Sequence, residues 1–504
     1  MMLAATRRMP ATSVELWKYT MPLFIVDEIR EIASARLLTE PEPRTGKQGI
    51  RRLCTDSREV GEGDLFVALK GERMDGHDFV PAAFRQGAVG ALVRDDYRLP
   101  LSVKRRGGRA PVLLGFPDVL TAYQQLAAHH RNRFQIPVVA VTGSNGKTTT
   151  KEMTADVLAQ RKPVLRTEGN LNNRIGVPQT LLRLAPRHKA AVIEMGVDNV
   201  GQTARLCEIA RPTIGLITNI GPDHLEFFGT IDVSAQAKGE LLKFLPPEGS
   251  AVLNADDPYF GYLASRARCE VLSFGLSGQA QVRAERLAMG GRDGTQFSLR
   301  LPGRGKPQPV SIRVHGLHNI LNALAAAAVG HVMGLNPATI AAGLAAFRPV
   351  AMRSQMLTWN RMRIINDCYN ANPASMKASI DLLHELGAGT RSIAVLGDML
   401  ELGADAAALH REVGAYLAQR GIAHLITCGP LGRELAEGAR AACMPAERVM
   451  HEADAARAGA ALKALAQAGD VVLVKASRGM KMERAIDALT GSGGVVTLRH
   501  GGRR

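Results

Sequence analysis

The sequence predicts an α/β protein of three domains, whose central domain is a doubly wound, mostly parallel sheet. Three observations lead to this fold class. Apolar runs of four to six residues, bounded by Gly, Asp or Asn, alternate with helical segments from residue 138 onwards, which is typical of buried parallel strands. A glycine-rich loop containing a lysine follows the first of these runs. The 504 residues also exceed what a single hydrophobic core usually organises.

The patterning divides the chain into four segments. Residues 1–24 match no clear element and are expected to be an N-terminal extension whose order the sequence does not determine. Residues 25–136 mix short strands and helices, as in a small mixed α/β domain. Residues 137–348 carry the central doubly wound sheet, and residues 349–504 form a C-terminal, Rossmann-like α/β domain.

Individual elements follow from apolar runs and turn residues. In the first domain we expect strands at "GDLFVALKG" and "VGALVRDD" and helices at "FVPAAFRQGA" and "VLTAYQQLAAHHRNRF". In the central domain we expect strands at "VVAVTG", "AAVIEMG", "TIGLITNIG" and "SAVLNADD", with a helix at "KEMTADVLAQR". Residues 281–315 break this rhythm and predict an antiparallel meander. The C-terminal strands are predicted at "RIINDCYN", "SIAVLGDM", "HLITCG" and "DVVLVKAS".

Composition narrows the possible functions. The net charge is +16, which suits nucleic acid or polyanionic small molecules. No aromatic residues interleave with the basic ones, so nucleic-acid binding is not expected. The six cysteines form no C-x-x-C pair, which favours a reducing cytoplasm over disulfides or zinc. The most apolar stretch, "NALAAAAVGHVMGL", is too short to cross a bilayer and predicts a buried helix.

The stretch "VVAVTGSNGKTTTKE" predicts a phosphate-binding loop between a strand and a helix. It departs from the common G-x-x-x-x-G-K-[ST] pattern, because Val141 stands where that pattern has its first glycine. Backbone N–H groups at a helix N-terminus favour phosphate. We expect Lys147 to neutralise phosphate charge and the hydroxyl of Thr148 to bind Mg²⁺. A glycine turn with a surface lysine is the alternative interpretation.

Three further residues of the central domain are candidates for the same site. Glu194 ends the strand "AAVIEMG", and His224 follows the next strand. Ligand groups gather at the carboxyl ends of strands in open α/β sheets, so both are candidate metal ligands, although a capping carboxylate and a structural histidine are the alternatives. Lys238 is ambiguous from its chemistry, because a lysine on a helix is usually solvated.

Together these motifs resemble the Mur ligase family, the ATP-dependent amide-forming enzymes of peptidoglycan precursor synthesis. "TGSNGKT" is similar to the family's loop, and the resemblance extends from about Asp56 to Lys481. Within the family, "GNLNNRIGVPQTLL", "GLHNILNALAAAA", "NDCYNANPASM", "LGDMLELG" and "VLVKASRGMKME" resemble the members that add D-alanyl-D-alanine to UDP-N-acetylmuramoyl-tripeptide. The resemblance implies a ligase with ATP and Mg²⁺ as cofactors that makes an acyl phosphate, which the amine of the dipeptide attacks.

The resemblance also implies roles for the central-domain residues. The residues expected to be catalytic are Lys147, Glu194, His224 and Lys238. Magnesium is expected to be bound by Thr148, Glu194, His224 and Lys238, the lysine binding it after carbamylation. The nucleotide is expected to contact the loop and two later segments, at Gly143, Ser144, Asn145, Gly146, Lys147, Thr148, Thr149, His318, Asn319, Asn322, Arg353 and Asp367. The spacing of His318 and Asn322 places both on one helix face.

Substrate contacts are expected in three regions. The uridine diphosphate end is assigned to Ser57, Arg58, Lys70, Asp75, Gly76 and His77. Asn170 and Asn173 are expected near the growing peptide. The C-terminal candidates are Tyr369, Asn370, Asn372, Lys475 and Arg478, with Ser477 beside them.

The alternatives come from three classes. A second amide ligase of the family, including folylpolyglutamate synthase, would differ in its acceptor amine. A nucleic-acid-stimulated NTPase would bind DNA or RNA with steep salt dependence. A non-catalytic nucleotide-binding scaffold would leave Glu194, His224 and Lys238 unexplained. We expect a monomer without membrane insertion. The sequence does not identify the third residue of the tripeptide or a role for the basic termini.

Overall fold

The computed structural model describes residues 22–39, 45–100, 111–291, 294–491 and 496–497. The N-terminal extension expected over residues 1–24 therefore lies almost entirely outside the described residues. The chain divides into two compact units, which are described separately. The first comprises the described residues up to 135 together with 174–184, and the second comprises the other described residues.

The first unit contains two sheets among its described residues. A five-stranded sheet has the order β2-β7-β6-β5-β4, parallel from β4 to β7, with β2 antiparallel at one edge, and β1 pairs with β3. Apolar side chains cover both faces of the larger sheet. The elements are β1 (Phe24–Ile25), α1 (Val26–Ala33), β2 (Arg36–Leu37), β3 (Gly49–Ile50), β4 (Arg52–Cys54), β5 (Asp64–Val67), α2 (Val80–Gln86), β6 (Gly90–Arg94), β7 (Val112–Phe116) and α3 (Val119–Asn132).

A nine-stranded sheet dominates the first part of the second unit, counted over its described residues. Its order is β16-β15-β14-β13-β12-β11-β8-β10-β9, parallel from β9 to β14 and antiparallel from β14 to β16. The antiparallel edge is the predicted meander. The strands are β8 (Val138–Thr142), β9 (Val164–Arg166), β10 (Ala190–Glu194), β11 (Ile214–Ile217), β12 (Ser250–Asn254), β13 (Glu270–Gly275), β14 (Val282–Gly291), β15 (Gly294–Arg300) and β16 (Gln308–Ile312).

Helices accompany this sheet. The alanine-rich helix predicted to be buried is α10, and its residues from 319 to 330, Leu321 apart, are buried in the core. The intervening helix α5 groups with the first unit. The helices are α4 (Lys147–Ala159), α5 (Gly176–Leu181), α6 (Gln202–Ala210), α7 (Leu225–Phe228), α8 (Ile231–Lys243), α9 (Phe260–Ala264), α10 (Leu317–Val332) and α11 (Pro337–Ala346).

A seven-stranded sheet organises the remainder of the described residues. Its order is β21-β20-β19-β22-β18-β17-β23, with a parallel centre and with β17 antiparallel to both neighbours. Separate apolar clusters cover its two faces. The elements are β17 (Gln355–Trp359), β18 (Met362–Asn366), α12 (Pro373–Leu386), β19 (Ser392–Gly397), α13 (Ala406–Gln419), β20 (His424–Cys428), α14 (Gly432–Ala441), β21 (Val449–Glu452), α15 (Ala455–Leu465), β22 (Val471–Lys475), α16 (Glu483–Thr490) and β23 (Val496–Thr497).

Register explains why distant residues meet. In the central sheet β8 lies between β10 and β11, so that Glu194 pairs with Val141 and Ile217 pairs with Thr142. The carboxyl ends of these three parallel strands therefore lie at one edge, where ligand groups gather in open α/β sheets. Among the described residues, no helix is long and apolar enough to cross a membrane. All six cysteines carry free thiols.

Candidate active site

The glycine-rich loop connects β8 directly to α4, which begins at Lys147 and thus four residues earlier than the predicted helix segment. Gly143 and Gly146 have φ values of 136° and 78°, in the left-handed region that favours glycine. A Cβ at Gly143 would lie 2.0 Å from Thr218 Oγ1, and a Cβ at Gly146 would lie 2.3 Å from Asn322 Oδ1. The loop therefore needs glycine at both positions, and it leaves the first N–H groups of α4 at the site.

Hydrogen bonds from neighbouring elements hold the loop. Thr218 Oγ1 donates to Asn145 O at 2.6 Å, and the Asn219 side chain accepts from Asn145 N at 2.9 Å. Lys147 Nζ lies against the loop itself, 2.6 Å from Gly143 O. Burial lowers the pKa of Lys147.

Glu194 lies beside this loop. It is buried at the end of β10, and its Oε1 accepts from Thr148 Oγ1 at 3.1 Å and from Asn172 Nδ2 at 2.8 Å. Within the described part of the chain, its Oε2 has no hydrogen-bond partner. An unpaired buried carboxylate oxygen is costly, so the geometry offers this oxygen to a cation. Sequence reasoning chose Asn170 and Asn173 and missed Asn172, which stands between them in the same Asn-rich loop.

A second buried carboxylate was also missed. Asp223 Oδ1 accepts from Lys238 Nζ at 2.9 Å, from Ser144 Oγ at 2.6 Å and from Ser234 Oγ at 3.1 Å. Its Oδ2 has no partner among the described residues. The signal was available, because an acidic residue directly precedes His224 at the carboxyl end of β11.

Lys238, whose environment its chemistry left open, lies inside the protein. Its side chain is 1% exposed, and its Nζ lies 4.6 Å from the centre of the Phe228 ring. Burial lowers its pKa to about 8, although the carboxylate of Asp223 acts in the opposite direction.

The four predicted metal ligands do not converge on one point but take part in three separate hydrogen-bonded contacts. Thr148 bonds Glu194, whereas Lys238 bonds Asp223 and His224 Nδ1 lies 2.5 Å from Glu401 Oε2. Over the described ranges, no group of three His, Cys, Asp or Glu side chains could hold a metal ion. The donors still fit Mg²⁺, which usually takes one or two carboxylates together with waters and substrate phosphates. Thr148 and Glu194 supply oxygen donors of this kind.

The predicted C-terminal residues assemble around a buried ion pair. Lys475 Nζ donates to Asp367 Oδ2 at 2.6 Å and to Asn370 O at 2.9 Å. Asn372 donates to the Asn145 side chain at 2.9 Å, which joins this region to the glycine-rich loop.

Arg353 and Tyr369 form a stacked pair at the same place. The Arg353 guanidinium lies 3.8 Å from the centre of the Tyr369 ring. Its Nε is buried without a hydrogen-bond partner in the described part of the protein. An unsatisfied guanidinium N–H is a donor that a phosphate oxygen would satisfy.

The predicted residues on α10 contact two different parts of the site. Asn322 accepts from Thr150 Oγ1 at 3.1 Å and donates to Asn319 Oδ1 at 3.1 Å, so it supports the loop helix. His318 Nε2 lies 3.4 Å from Ser354 Oγ, on the C-terminal side. Burial lowers the pKa of His318.

Most of these residues line one cavity of about 570 Å³ within the second unit. Of the predicted residues of this unit, Gly143, Lys238, Ser477 and Arg478 do not line it. Arg478 instead pairs with Glu483 at 2.7 Å on the surface. The predicted residues that do line the cavity are Ser144, Asn145, Gly146, Lys147, Thr148, Thr149, Asn170, Asn173, Glu194, His224, His318, Asn319, Asn322, Arg353, Asp367, Tyr369, Asn370, Asn372 and Lys475.

The first unit places its candidates after β4 and β5, which are neighbouring parallel strands. Arg58 is exposed and pairs with Asp56, and Ser57 adjoins it. Lys70 forms a backbone bridge with Asp75. His77 uses both ring nitrogens internally, Nδ1 with Asp75 at 2.6 Å and Nε2 accepting from Arg94 N at 2.9 Å.

Gly76 packs tightly in this turn, since a Cβ there would lie 2.5 Å from Leu69 O. His77 and Gly76 therefore shape the turn, whereas Arg58 lies at the surface in its ion pair with Asp56.

Three parts of the chain match family descriptions. The Mur ligase family catalytic domain matches residues 49–130, the Mur ligase middle domain matches residues 141–330, and the Mur ligase glutamate ligase domain matches residues 352–478. The chain belongs to the Mur ligase family. The expected family and the expected α/β fold class are both confirmed.

Similar proteins share one function in their names. The chain is 36% identical to the UDP-N-acetylmuramoyl-tripeptide--D-alanyl-D-alanine ligase of Bacillus subtilis, covering 92% of this chain and 98% of the relative. It is 38% identical to the Escherichia coli protein of the same name, covering 88% and 94%.

Two solved structures extend the likeness. A crystal structure of MurF from Acinetobacter baumannii superposes with a TM-score of 0.82 at 30% identity, covering 93% of this chain and 98% of that one. The MurF ligase from Thermotoga maritima in complex with ADP gives a TM-score of 0.76 at 28% identity, with 87% and 97% covered.

Proposed function

We propose that the chain is an ATP-dependent ligase that adds D-alanyl-D-alanine to UDP-N-acetylmuramoyl-tripeptide in peptidoglycan synthesis. The products are UDP-N-acetylmuramoyl-pentapeptide, ADP and phosphate. One observation carries the proposal: a single cavity joins the glycine-rich loop, the free carboxylate oxygen of Glu194 and the C-terminal loop 369–372. The names of the similar proteins identify the substrates.

The chemistry follows from the donors at the cavity. A carboxylate is a poor acyl donor, so the terminal carboxylate of the tripeptide first takes the γ-phosphoryl group of ATP. The protein's contribution is positioning and charge stabilisation. The N–H groups at the start of α4 and the ammonium of Lys147 bind phosphate oxygens, and the Arg353 guanidinium adds a third donor. The amine of the dipeptide then attacks the acyl phosphate, and phosphate leaves.

Magnesium would be held by Thr148 and Glu194 together with phosphate oxygens. When bound, it supplies positive charge that offsets the negative charge developing on the transferred phosphoryl group. Asn172 fixes Glu194 by its hydrogen bond to Oε1 and leaves Oε2 to face the ion.

Each domain has its own part in the proposal. Residues 25–136 bind the uridine diphosphate end, with Arg58 and Lys70 as the cationic contacts. Residues 137–348 bind ATP, and residues 349–504 close on the nucleotide and the dipeptide. X-ray scattering profiles that are identical with and without ligands would contradict such closure. The expected cytoplasmic location and monomeric state remain predictions.

Carbamylation of Lys238 is part of the proposal by family resemblance. The modification would convert a buried cation into an anionic oxygen ligand. A crystal grown with nucleotide and Mg²⁺ is expected to show density for the added carboxylate. An unmodified amine still bonded to Asp223 would contradict it.

The test is phosphate release from ATP and Mg²⁺ with UDP-N-acetylmuramoyl-tripeptide, with and without D-alanyl-D-alanine. We expect release only with both substrates, and a pentapeptide product by mass. Lys147→Ala should lower kcat by on the order of 10²-fold or more, whereas Lys162→Ala, an exposed lysine beyond the same helix, should not change it. Release that responds to a different amine would assign the chain to another branch of the family.

A further inference from the structure

Two loops from different sheets of the second unit meet at the edge of the cavity. His224 follows β11 of the central sheet, and Glu401 follows β19 of the C-terminal sheet. Besides the contact between His224 Nδ1 and the Glu401 carboxylate at 2.5 Å, the backbone N of Glu226 donates to Glu401 O at 3.0 Å. Both hydrogen bonds use Glu401, so this residue is the point at which the two loops are joined.

The backbone at this contact is unusual on both sides. His224 has φ of 51° and Glu401 has φ of 63°, both in the left-handed region that side chains disfavour. Gly403 has φ of 64°, and a Cβ there would lie 3.5 Å from Glu226 Cα. Strained backbone persists where the surrounding structure over-determines it, and it clusters at ligand sites. The strain thus coincides with the two residues that form the contact.

Stability does not explain the pair. The side chains of His224 and Glu401 are 30% and 46% exposed, and exposed ion pairs contribute little to the free energy of folding. The contact between Glu401 and His224 instead controls the orientation of the imidazole. In the neutral imidazole, a carboxylate that accepts from Nδ1–H selects the tautomer with the proton on Nδ1 and the lone pair on Nε2.

We infer that Glu401 is a positioning residue that holds the His224 imidazole in one orientation and one tautomer, and that it does so only while the C-terminal sheet is docked on the central sheet. The inference rests on the proposed function. The orientation of His224 at the cavity then depends on domain closure, because the Glu401 carboxylate belongs to the C-terminal domain that closes. On the side of the central domain, the Phe228 ring lies edge-on to the His224 ring, with 6.5 Å between the ring centres. Phe228 therefore restricts the position of the imidazole.

A double-mutant cycle tests whether Glu401 acts through His224. Loss of an outer carboxylate partner of a histidine ligand typically costs on the order of 10–100-fold in activity, and we expect that loss in kcat/KM for Glu401→Ala. Glu401→Gln keeps an oxygen acceptor and should remain within a few-fold of the parent. The double variant with His224→Ala should lose no more than His224→Ala by itself.

The matched control is Glu226→Gln, which removes the same charge from an exposed side chain two residues from His224. It should leave kcat/KM unchanged. Additive losses in the cycle, or equal losses in Glu401→Gln and Glu401→Ala, would overturn the inference.

A second measurement does not depend on activity. Nitrogen-15 NMR of histidine-labelled protein, saturated with ADP, Mg²⁺ and UDP-N-acetylmuramoyl-tripeptide, reports the protonated ring nitrogen of His224. We expect Nδ1–H in the parent and in Glu401→Gln, and a mixture of tautomers in Glu401→Ala. The same spectrum for parent and Glu401→Ala would overturn the inference. Failure of the proposed function would instead appear as parent enzyme that releases no phosphate with the two named substrates.

Discussion

Two buried lysine–aspartate pairs lie near the carboxyl edges of the two large sheets of the second unit. Lys475 pairs with Asp367 in the C-terminal sheet, and Lys238 pairs with Asp223 beside the central sheet. Both lysines are buried. The pairs differ in how completely their carboxylates are hydrogen-bonded. A carboxylate with both oxygens bonded indicates a structural ion pair, whereas one with an unbonded oxygen can still bind a ligand.

In the C-terminal pair both carboxylate oxygens have protein partners. Asp367 Oδ1 accepts from Ser354 N at 2.8 Å, and its Oδ2 accepts from Ser379 Oγ and from Lys475. The pair connects β18, α12 and β22. In the central pair, all three donors converge on Asp223 Oδ1, and Oδ2 has none among the described residues. The free oxygen and the lowered pKa of Lys238 mark the central pair as the adaptable one.

The largest effect is expected from Lys475→Met, which removes the charge at nearly constant volume. It leaves Asp367 buried without a counter-ion, and breaking a buried pair in this way costs about 3–5 kcal/mol. The free energy of unfolding from urea titration measures the loss. The exposed Lys463→Met is the control and should stay within about 0.5 kcal/mol of the parent. A loss below about 1 kcal/mol for Lys475→Met would remove the distinction between the pairs.

The pH dependence of stability should reveal Lys238. Burial places its pKa at about 8 in the folded protein, below the ordinary value of 10.5. Below pH 8 the lysine is charged in both states, so its desolvation destabilises the fold. Between pH 8 and 10.5 the unfolded chain binds more protons than the folded one, and stability therefore rises with pH.

At one pKa unit per 1.36 kcal/mol, this gain amounts to about 3 kcal/mol. It is measured as the difference in unfolding free energy between the parent and Lys238→Met, at pH 7, 9 and 10.5. A difference that stays constant over this range would mean that Asp223 keeps Lys238 charged throughout.

The smallest effects should come from the serines that support each pair. Ser234→Ala and Ser379→Ala each remove one hydroxyl donor to an aspartate. Hydrogen bonds to charged groups contribute about 1.5–3 kcal/mol, and because both carboxylates keep other donors, we expect the lower end. Thermal unfolding of the two variants compares them directly. A much larger loss for Ser234→Ala would show that the central pair depends on each of its donors.

The sequence located most of the residues that line the cavity, because those residues occur in motifs at strand ends. Glu194 was found in this way, since parallel strands bring their carboxyl ends together, whereas Asp367 was implied by the resemblance to the family. Asn172 was missed although its neighbours were chosen, because sequence spacing does not show which amide of an Asn-rich loop turns towards the carboxylate. The chemistry of Lys238 left its burial open, since a helix lysine is exposed unless tertiary contacts enclose it.

The sequence by itself determined the strand–loop–helix connection at the glycine-rich loop, the α/β fold class and the family. Each depends on local patterns: apolar runs, glycines that tolerate positive φ, and helix termini. Only the tertiary structure decided the partners of the charged groups. Asp223 meets Lys238 and Glu401 meets His224 through packing between elements far apart in the chain, and local patterns carry no information about such contacts. The chemistry of the cavity depends on these partners, because they determine which oxygens and nitrogens remain available to a ligand.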